Sequence, residues 1–324
     1  MAAEARGEFA GLAPAELVRA ASIARRFFMD GRSKSEIASE FGLSRFKVAR
    51  ILDEARAAGI VHIEIRLPAG LDASLAHRLR ETFGLRHAIV VDTPEEPEPA
   101  MRQQLAHASA ALLREIVTVD DVVGVGYGRT LTLIAEEIEG LAPCPVVQLT
   151  GALLGVNTNE NSVELVRQIS VRSGGPCFSI YAPQVLPDAK TAASLRERRE
   201  VSEAYRRFGT VTKAVVAIGS WAPPRSQLYD SLPVPQREAL RQKGVLAEIC
   251  AVLLNKDGVQ VATEFTERCI SIGGRQLWAI DEVVGVAGGA AKADAVRAVL
   301  AGGYANSLVA DSSLATALLA HEGA

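Results

Sequence analysis

The sequence is poor in the residues that hold metals. Of its 324 residues only four are cysteine, Cys144, Cys177, Cys250 and Cys269, and five are histidine. No two cysteines form a CxxC pair, and none has a histidine at ligand spacing. A zinc or iron–sulfur centre is therefore not expected, and all four thiols read as buried and free. Also missing is any run of about 18 uncharged apolar residues, so no membrane-spanning helix is expected. The start, MAAEARGEFAG, has neither a basic nor an apolar leader region, which points to the cytoplasm.

The familiar catalytic and nucleotide signatures are absent as well. There is no GxSxG and no GxxxxGK[ST], and GVGYGRT has arginine where GxGxxG needs its third glycine. His62, His77, His87, His107 and His321 do not fall at the glycine-rich strand ends described below. No nucleophile–base pair stands out, so no catalytic residue is assigned and neither a dinucleotide nor a nucleoside triphosphate is indicated. The net charge of −3 argues against a chain coated in nucleic acid, though a local footprint remains open.

What is present is ordinary globular composition, 48% hydrophobic and 23% charged, over a length comfortable for two domains. From Pro14, the residues Leu17, Ala20, Ala21, Ala24, Phe27 and Phe28 trace an apolar helical stripe. Ser33 with Glu36 predicts a capping box opening a short helix that turns Ile37, Ala38 and Phe41 inward, ended by Gly42. Ser44 then caps a second helix with apolar positions Phe46, Val48, Ile51, Leu52 and Ala55, closed by Gly59. Two helices around a tight turn make a helix-turn-helix. Arg45, Lys47 and Arg50 occupy the first two turns of the second helix, the end that enters a DNA major groove. Ser33, Lys34, Ser44, Arg45, Lys47 and Arg50 are the candidate DNA-binding residues. The alternating segment Ile60–Leu67 reads as a strand, giving a winged helix-turn-helix. Residues 1–66 carry 11 basic and 9 acidic side chains, an excess so small that tight binding needs several modules on one DNA.

Pro68-Ala69-Gly70 divides the chain into residues 1–68 and 69–324. Beyond it, strands near 87–92, 121–128, 145–151, 176–183, 213–220 and 307–311 alternate with helices near 71–85, 101–117, 129–139, 160–174 and 195–209. Residues 282–303 read as strand, glycine turn and helix, and 248–261 as a hairpin turning at Asp257-Gly258. Short apolar strands separated by helices predict an α/β domain with a mainly parallel, Rossmann-like sheet. Ligands bind such sheets beyond the strand C-termini, where helix N-termini favour anions. Gly126, Gly128, Arg129 and Thr130 follow one strand, Thr150 and Gly151 another, and Gly288, Gly289 and Lys292 a further one; Glu248 is a nearby acid. These suit a small phosphorylated molecule.

The stretches LSRFKVARILDEARAAGIV (43–61), GYGRTL (126–131), QLTG (148–151) and GGAAKADAVRAVLAGG (288–303) with LVAD (308–311) resemble the SorC family of bacterial sugar-responsive transcriptional regulators. The resemblance implies an effector domain with the fold of phosphosugar isomerases and deaminases, assembled as a dimer or tetramer. It further implies that operator DNA and a phosphorylated sugar or polyol are the partners, and that no cofactor is needed. It assigns Gly128, Arg129 and Thr130 to a phosphate loop, Lys292 to the phosphate's counter-charge and Glu248 to the sugar hydroxyls. Thr150 stands where some members carry lysine, so no imine forms there. The function implied is a repressor of a carbohydrate or polyol catabolic operon and not an enzyme. The alternative is a phosphosugar isomerase or deaminase bearing a DNA-binding module.

Overall fold

In the computed structural model the described residues are 14–61, 70–93, 98–153, 162–261 and 263–320. Residues 1–13, most of the expected wing strand and the Pro68-Ala69 boundary lie outside them. The chain divides into two compact units, residues 1–65 and 66–324.

The first unit contains helices α1 (Pro14–Phe28), α2 (Lys34–Phe41) and α3 (Arg45–Ala57) around a core of Ile23, Ala24, Ile37, Ala38, Val48 and Leu52. The capping box forms as the sequence predicts. Ser33 N–H donates to Glu36 Oε2 at 2.8 Å, and Glu36 N–H donates to Ser33 Oγ at 3.3 Å. Gly42 and Gly59 take left-handed φ values of 64° and 72°, which lets α2 and α3 stop where they do. Three of the expected core positions are outside it: Ala21, Phe28 and Phe46 are exposed, and Ile23 is buried in their stead. Phe46 lies only two residues before the buried Val48, more than half a helical turn away, so the two cannot share a face.

The second unit is built on strands β1 (Ala88–Val91), β2 (Val123–Val125), β3 (Val146–Gln148), β4 (Cys177–Phe178), β5 (Lys213–Trp221), β6 (Pro224–Arg225), β7 (Ala247–Ile249), β8 (Val252–Leu254), β9 (Glu282–Ala287) and β10 (Ser307–Asp311). Seven run side by side in the order β1-β10-β9-β5-β2-β3-β4, each pairing parallel to its neighbours. Successive residues alternate between two apolar layers. Val283, Ala214, Val216 and Leu308 face one, and Val284, Val215 and Val309 face the other. Helices α4 (Ala73–Phe83), α5 (Glu98–Ile116), α6 (Arg129–Glu137) and α7 (Ser162–Ser173) follow the expected periodicity. α5, α6 and α7 cover one face and α4 the other, so the sheet is sandwiched as the α/β reading requires.

Several expectations change. The single charged helix over 195–209 is two, α8 (Ala189–Arg196) and α9 (Arg199–Tyr205), followed by a 3-10 turn at Phe208–Thr210. Short helices α10 (Gln227–Ser231), α11 (Val234–Gln242), α12 (Glu264–Glu267) and α13 (Gly274–Trp278) were not foreseen; α14 (Ala293–Ala301) and α15 (Ser312–Ala320) complete the set. Within 248–261 the chain reverses at Asp257-Gly258 but also, earlier, between the antiparallel β7 and β8. That turn is Cys250-Ala251, with φ of 50° and 62°. Neither residue is a usual choice for a left-handed turn, so no turn signal marks it. Cys144, Cys250 and Cys269 are buried as expected, but Cys177 is exposed because β4 is a two-residue strand on the sheet edge. Among the described residues no helix is long and apolar enough to cross a membrane.

Candidate functional site

The strand order determines where a ligand can sit. From β2 the chain steps outward through β3 to β4, then returns to β5 on the other side of β2 and steps the opposite way through β9 to β10. The connections leaving β2 and β5 therefore diverge, and a crevice opens beyond their carboxyl ends. A cleft of about 330 Å³ occupies this place, lined in part by Gly128, Arg129, Thr130, Thr150, Glu248, Gly288 and Lys292.

Each wall has a local cause. After β2 the chain passes so close to β5 that a Cβ on Gly128 would lie 2.5 Å from the Ala217 Cβ. Gly128 thus lets α6 begin against the sheet, with Arg129 and Thr130 in its first turn, where backbone N–H groups lack helical acceptors. After β9, a Cβ on Gly288 would lie 2.7 Å from Met101 Sδ and Leu105 Cδ1. The loop is then fastened by Asp311, whose Oδ1 accepts the Gly289 N–H at 2.7 Å. This carries Lys292 across to β5, where its Nζ donates to the Ile218 carbonyl at 2.8 Å. Beside it, a Cβ on Gly219 would lie 2.4 Å from Glu248 Oε1. Absence of that Cβ is what lets the carboxylate reach inward. Glu248 Oε1 accepts from Ser226 Oγ at 2.9 Å, and Ser226 also caps α10 through the Tyr229 N–H.

Burial and charge then act in opposite directions. Lys292 is lowered to about 8, first by loss of water and also by the cations of Arg129 and Arg102, against the pull of Glu248. The Glu248 carboxyl is pushed up by burial, opposed by Ser226, the Ala251 N–H and Lys292. A site that strips water from a cation and surrounds it with further cations favours an arriving anion. Thr150, 2% exposed, carries a buried hydroxyl to which no described residue bonds.

Three of the expected effector residues do not line the cleft. Gly126 is packed under Cys250 Sγ and Val216, Gly151 presses on the backbone of Ala182 and Pro183, and Gly289 serves the loop turn with φ of 89°. Conversely, Arg102, Gln184, Arg225 and Ser226 line it without any strand-end signal in the sequence. Arg102 is ion-paired with Glu98, and Arg129 lies 3.6 Å from Asp230. Among the described residues no group of three or more His, Cys, Asp or Glu could hold a metal ion.

In the first unit all six candidate residues are exposed. Ser44 Oγ accepts the Lys47 N–H at 3.2 Å, capping α3. The Lys34 ammonium stands 5.6 Å from the Phe27 ring and the Arg45 guanidinium 4.8 Å from the Phe46 ring. Arg50 pairs with Glu54 at 3.2 Å along the helix. Residues 62–67, which hold most of the expected wing strand, lie outside the described set.

Comparison with known proteins agrees with this architecture. The Sugar-bind domain family matches residues 68–320. The uncharacterized transcriptional regulator YjhU of Escherichia coli is 27% identical over 91% of this chain and 92% of its own length. The transcriptional regulator LsrR of Klebsiella pneumoniae is 28% identical over 96% of each chain. The full-length sorbitol operon regulator SorC of Klebsiella pneumoniae shares the fold, with a TM-score of 0.72 at 22% identity over 94% of this chain and 99% of that one. The chain therefore belongs to the SorC family of sugar-responsive transcriptional regulators.

Proposed function

We propose that the cleft at the β2–β5 switch point binds a phosphorylated sugar or polyol, and that this effector controls operator binding by helices α2 and α3. The chain would act as a repressor of a carbohydrate or polyol catabolic operon. Support comes above all from the convergence of Lys292, Arg129, the first turn of α6, Glu248 and Thr150 on one cleft. The cations suit a phosphate, and the carboxylate and hydroxyl suit sugar hydroxyls. Ser33, Lys34, Ser44, Arg45, Lys47 and Arg50 would meet DNA phosphates and base edges. Because the basic excess of one module is small, two or more copies are needed on repeated half-sites, which a homo-oligomer supplies. An effector that favours one arrangement of modules shifts DNA binding by its differential affinity for that arrangement.

A thermal-shift screen tests the effector class. Phosphorylated sugars or polyols are expected to raise the melting temperature of the chain, and their dephosphorylated forms to do so far less. Equal shifts from both forms would remove the phosphate from the effector's recognition. One observation favours a second reading, an isomerase or deaminase: Glu248 and Lys292, both shifted by burial, lie in the same cleft. Turnover of pentose or hexose phosphates well above background decides for the enzyme.

A further inference from the structure

Helix α3 buries Val48, Leu52 and Ala55. At about 100° per residue, Phe46 is half a turn out of phase with Ala55, so its ring projects away from the core. It is 72% exposed and belongs to none of the apolar clusters among the described residues. The other described phenyl rings of this unit are placed differently. Phe27 and Phe41 are half-buried against the core, and Phe28 meets Phe27 edge to face at 5.0 Å. Phe46 has instead the Arg45 guanidinium stacked 4.8 Å from its centroid. Arg45 and Lys47 flank it by about 100° on either side, and Arg50 follows one turn later on the same face.

A helix lying in a major groove presents its flanks to the two phosphate strands and the centre of its outer face to the bases. In α3 the flanks are cationic and the centre is an aromatic ring. A phenyl ring offers no hydrogen bond, and pressed against base donors or acceptors it would strip their water without replacing it. Across the four base-pair orientations only thymine presents an apolar group in the major groove, its C5-methyl. Resting on the assignment of α3 as the DNA-reading helix, we propose that Phe46 is a specificity-determining residue that packs against a thymine C5-methyl in each half-site, held in place by Arg45.

The test uses the full chain. Its preferred duplex is selected from random DNA, and each thymine of that duplex is then replaced singly by deoxyuridine, which deletes only the methyl group. Binding is measured by fluorescence anisotropy for the parent, Phe46→Ala and Phe46→Leu. One thymine per half-site should weaken the parent about three- to fivefold when replaced, the effect of exposing one buried methyl. Phe46→Ala should be indifferent to that replacement and Phe46→Leu should retain part of it. Since the ring is outside the core, all three proteins should melt together. The proposal is overturned if Phe46→Ala keeps the parent's thymine-to-uracil profile, or if it changes only self-association, which would make the ring a protein contact. A parent that selects no sequence at all defeats the DNA-reading assignment and the proposal with it, whereas selection without any methyl-sensitive thymine defeats the proposal alone.

Discussion

The two units hold their charges in opposite ways. In residues 1–65 the basic side chains of the candidate site are exposed and pair, where they pair, with neighbours along their own helix, as Arg50 does with Glu54. Such hydrated pairs contribute little, about 0.3–0.5 kcal/mol each, so the charges stay available for a large polyanion. In residues 66–324 the charges that matter are drawn out of water. Lys292 is lowered to about 8 and Glu248 is pushed up. On the reading proposed above, one architecture suits a ligand that spans many exposed phosphates, the other a small ligand that supplies a single one.

The comparison is tested most forcefully by deleting the buried cation. Lys292→Met should cost a phosphorylated effector about 1.5–3 kcal/mol of affinity, the worth of a charged hydrogen bond, by calorimetry, with no change for the unphosphorylated form. Equal losses for both would mean that Lys292 only braces the Ile218 carbonyl. Next in size is pH. Lys292 in the folded chain titrates near 8, below its ordinary 10.5, so between these values the folded state binds fewer protons than the unfolded one. The free chain therefore gains stability as pH rises through this window, while the cation that an anion needs is lost. Effector affinity should fall roughly thirtyfold from pH 7 to 9.5, since pH 9.5 lies about 1.5 pH units above the folded value; a flat profile breaks the contrast.

Smaller effects belong to the exposed unit. Ser44→Ala removes the cap that accepts the Lys47 N–H and should destabilise the three-helix unit by about 1 kcal/mol, read by its melting, with sugar affinity unchanged. Smallest is Glu54→Gln, which frees Arg50 and should alter stability by less than about 0.5 kcal/mol. A larger loss would show that the exposed ion pairs matter more to this unit than their hydration allows.

How much of this was legible in the sequence depended on whether the signal was local. The capping box at Ser33 and the glycine stops were, because a cap is written within four residues. The parallel sheet was, because its strands are short, apolar and separated by helices. Six strand-end residues, from Gly128 to Lys292, do converge, together with the acid Glu248, but the same rule also chose Gly126, Gly151 and Gly289. A glycine after a strand signals a tight backbone and does not say whether the space beside it holds ligand, Cys250 or Pro183. Arg102 reaches the cleft from α5, distant in sequence from the strand ends it joins, and Ser226 follows β6, a strand of only two residues. Helices α10, α12 and α13 have four or five residues, too few to establish a period. Phe46 was misread because hydrophobicity marked it as core while its phase along α3 did not.

The central claim is that the buried cleft controls the exposed helix through a phosphorylated effector, and the most direct test is operator affinity with and without that effector. A phosphosugar that raises the melting temperature should shift the operator Kd at least about fivefold, the lower end of ordinary allosteric coupling. Its dephosphorylated form should not, and Lys292→Met should abolish the shift. An operator Kd unmoved by any phosphosugar that binds the cleft would contradict the claim.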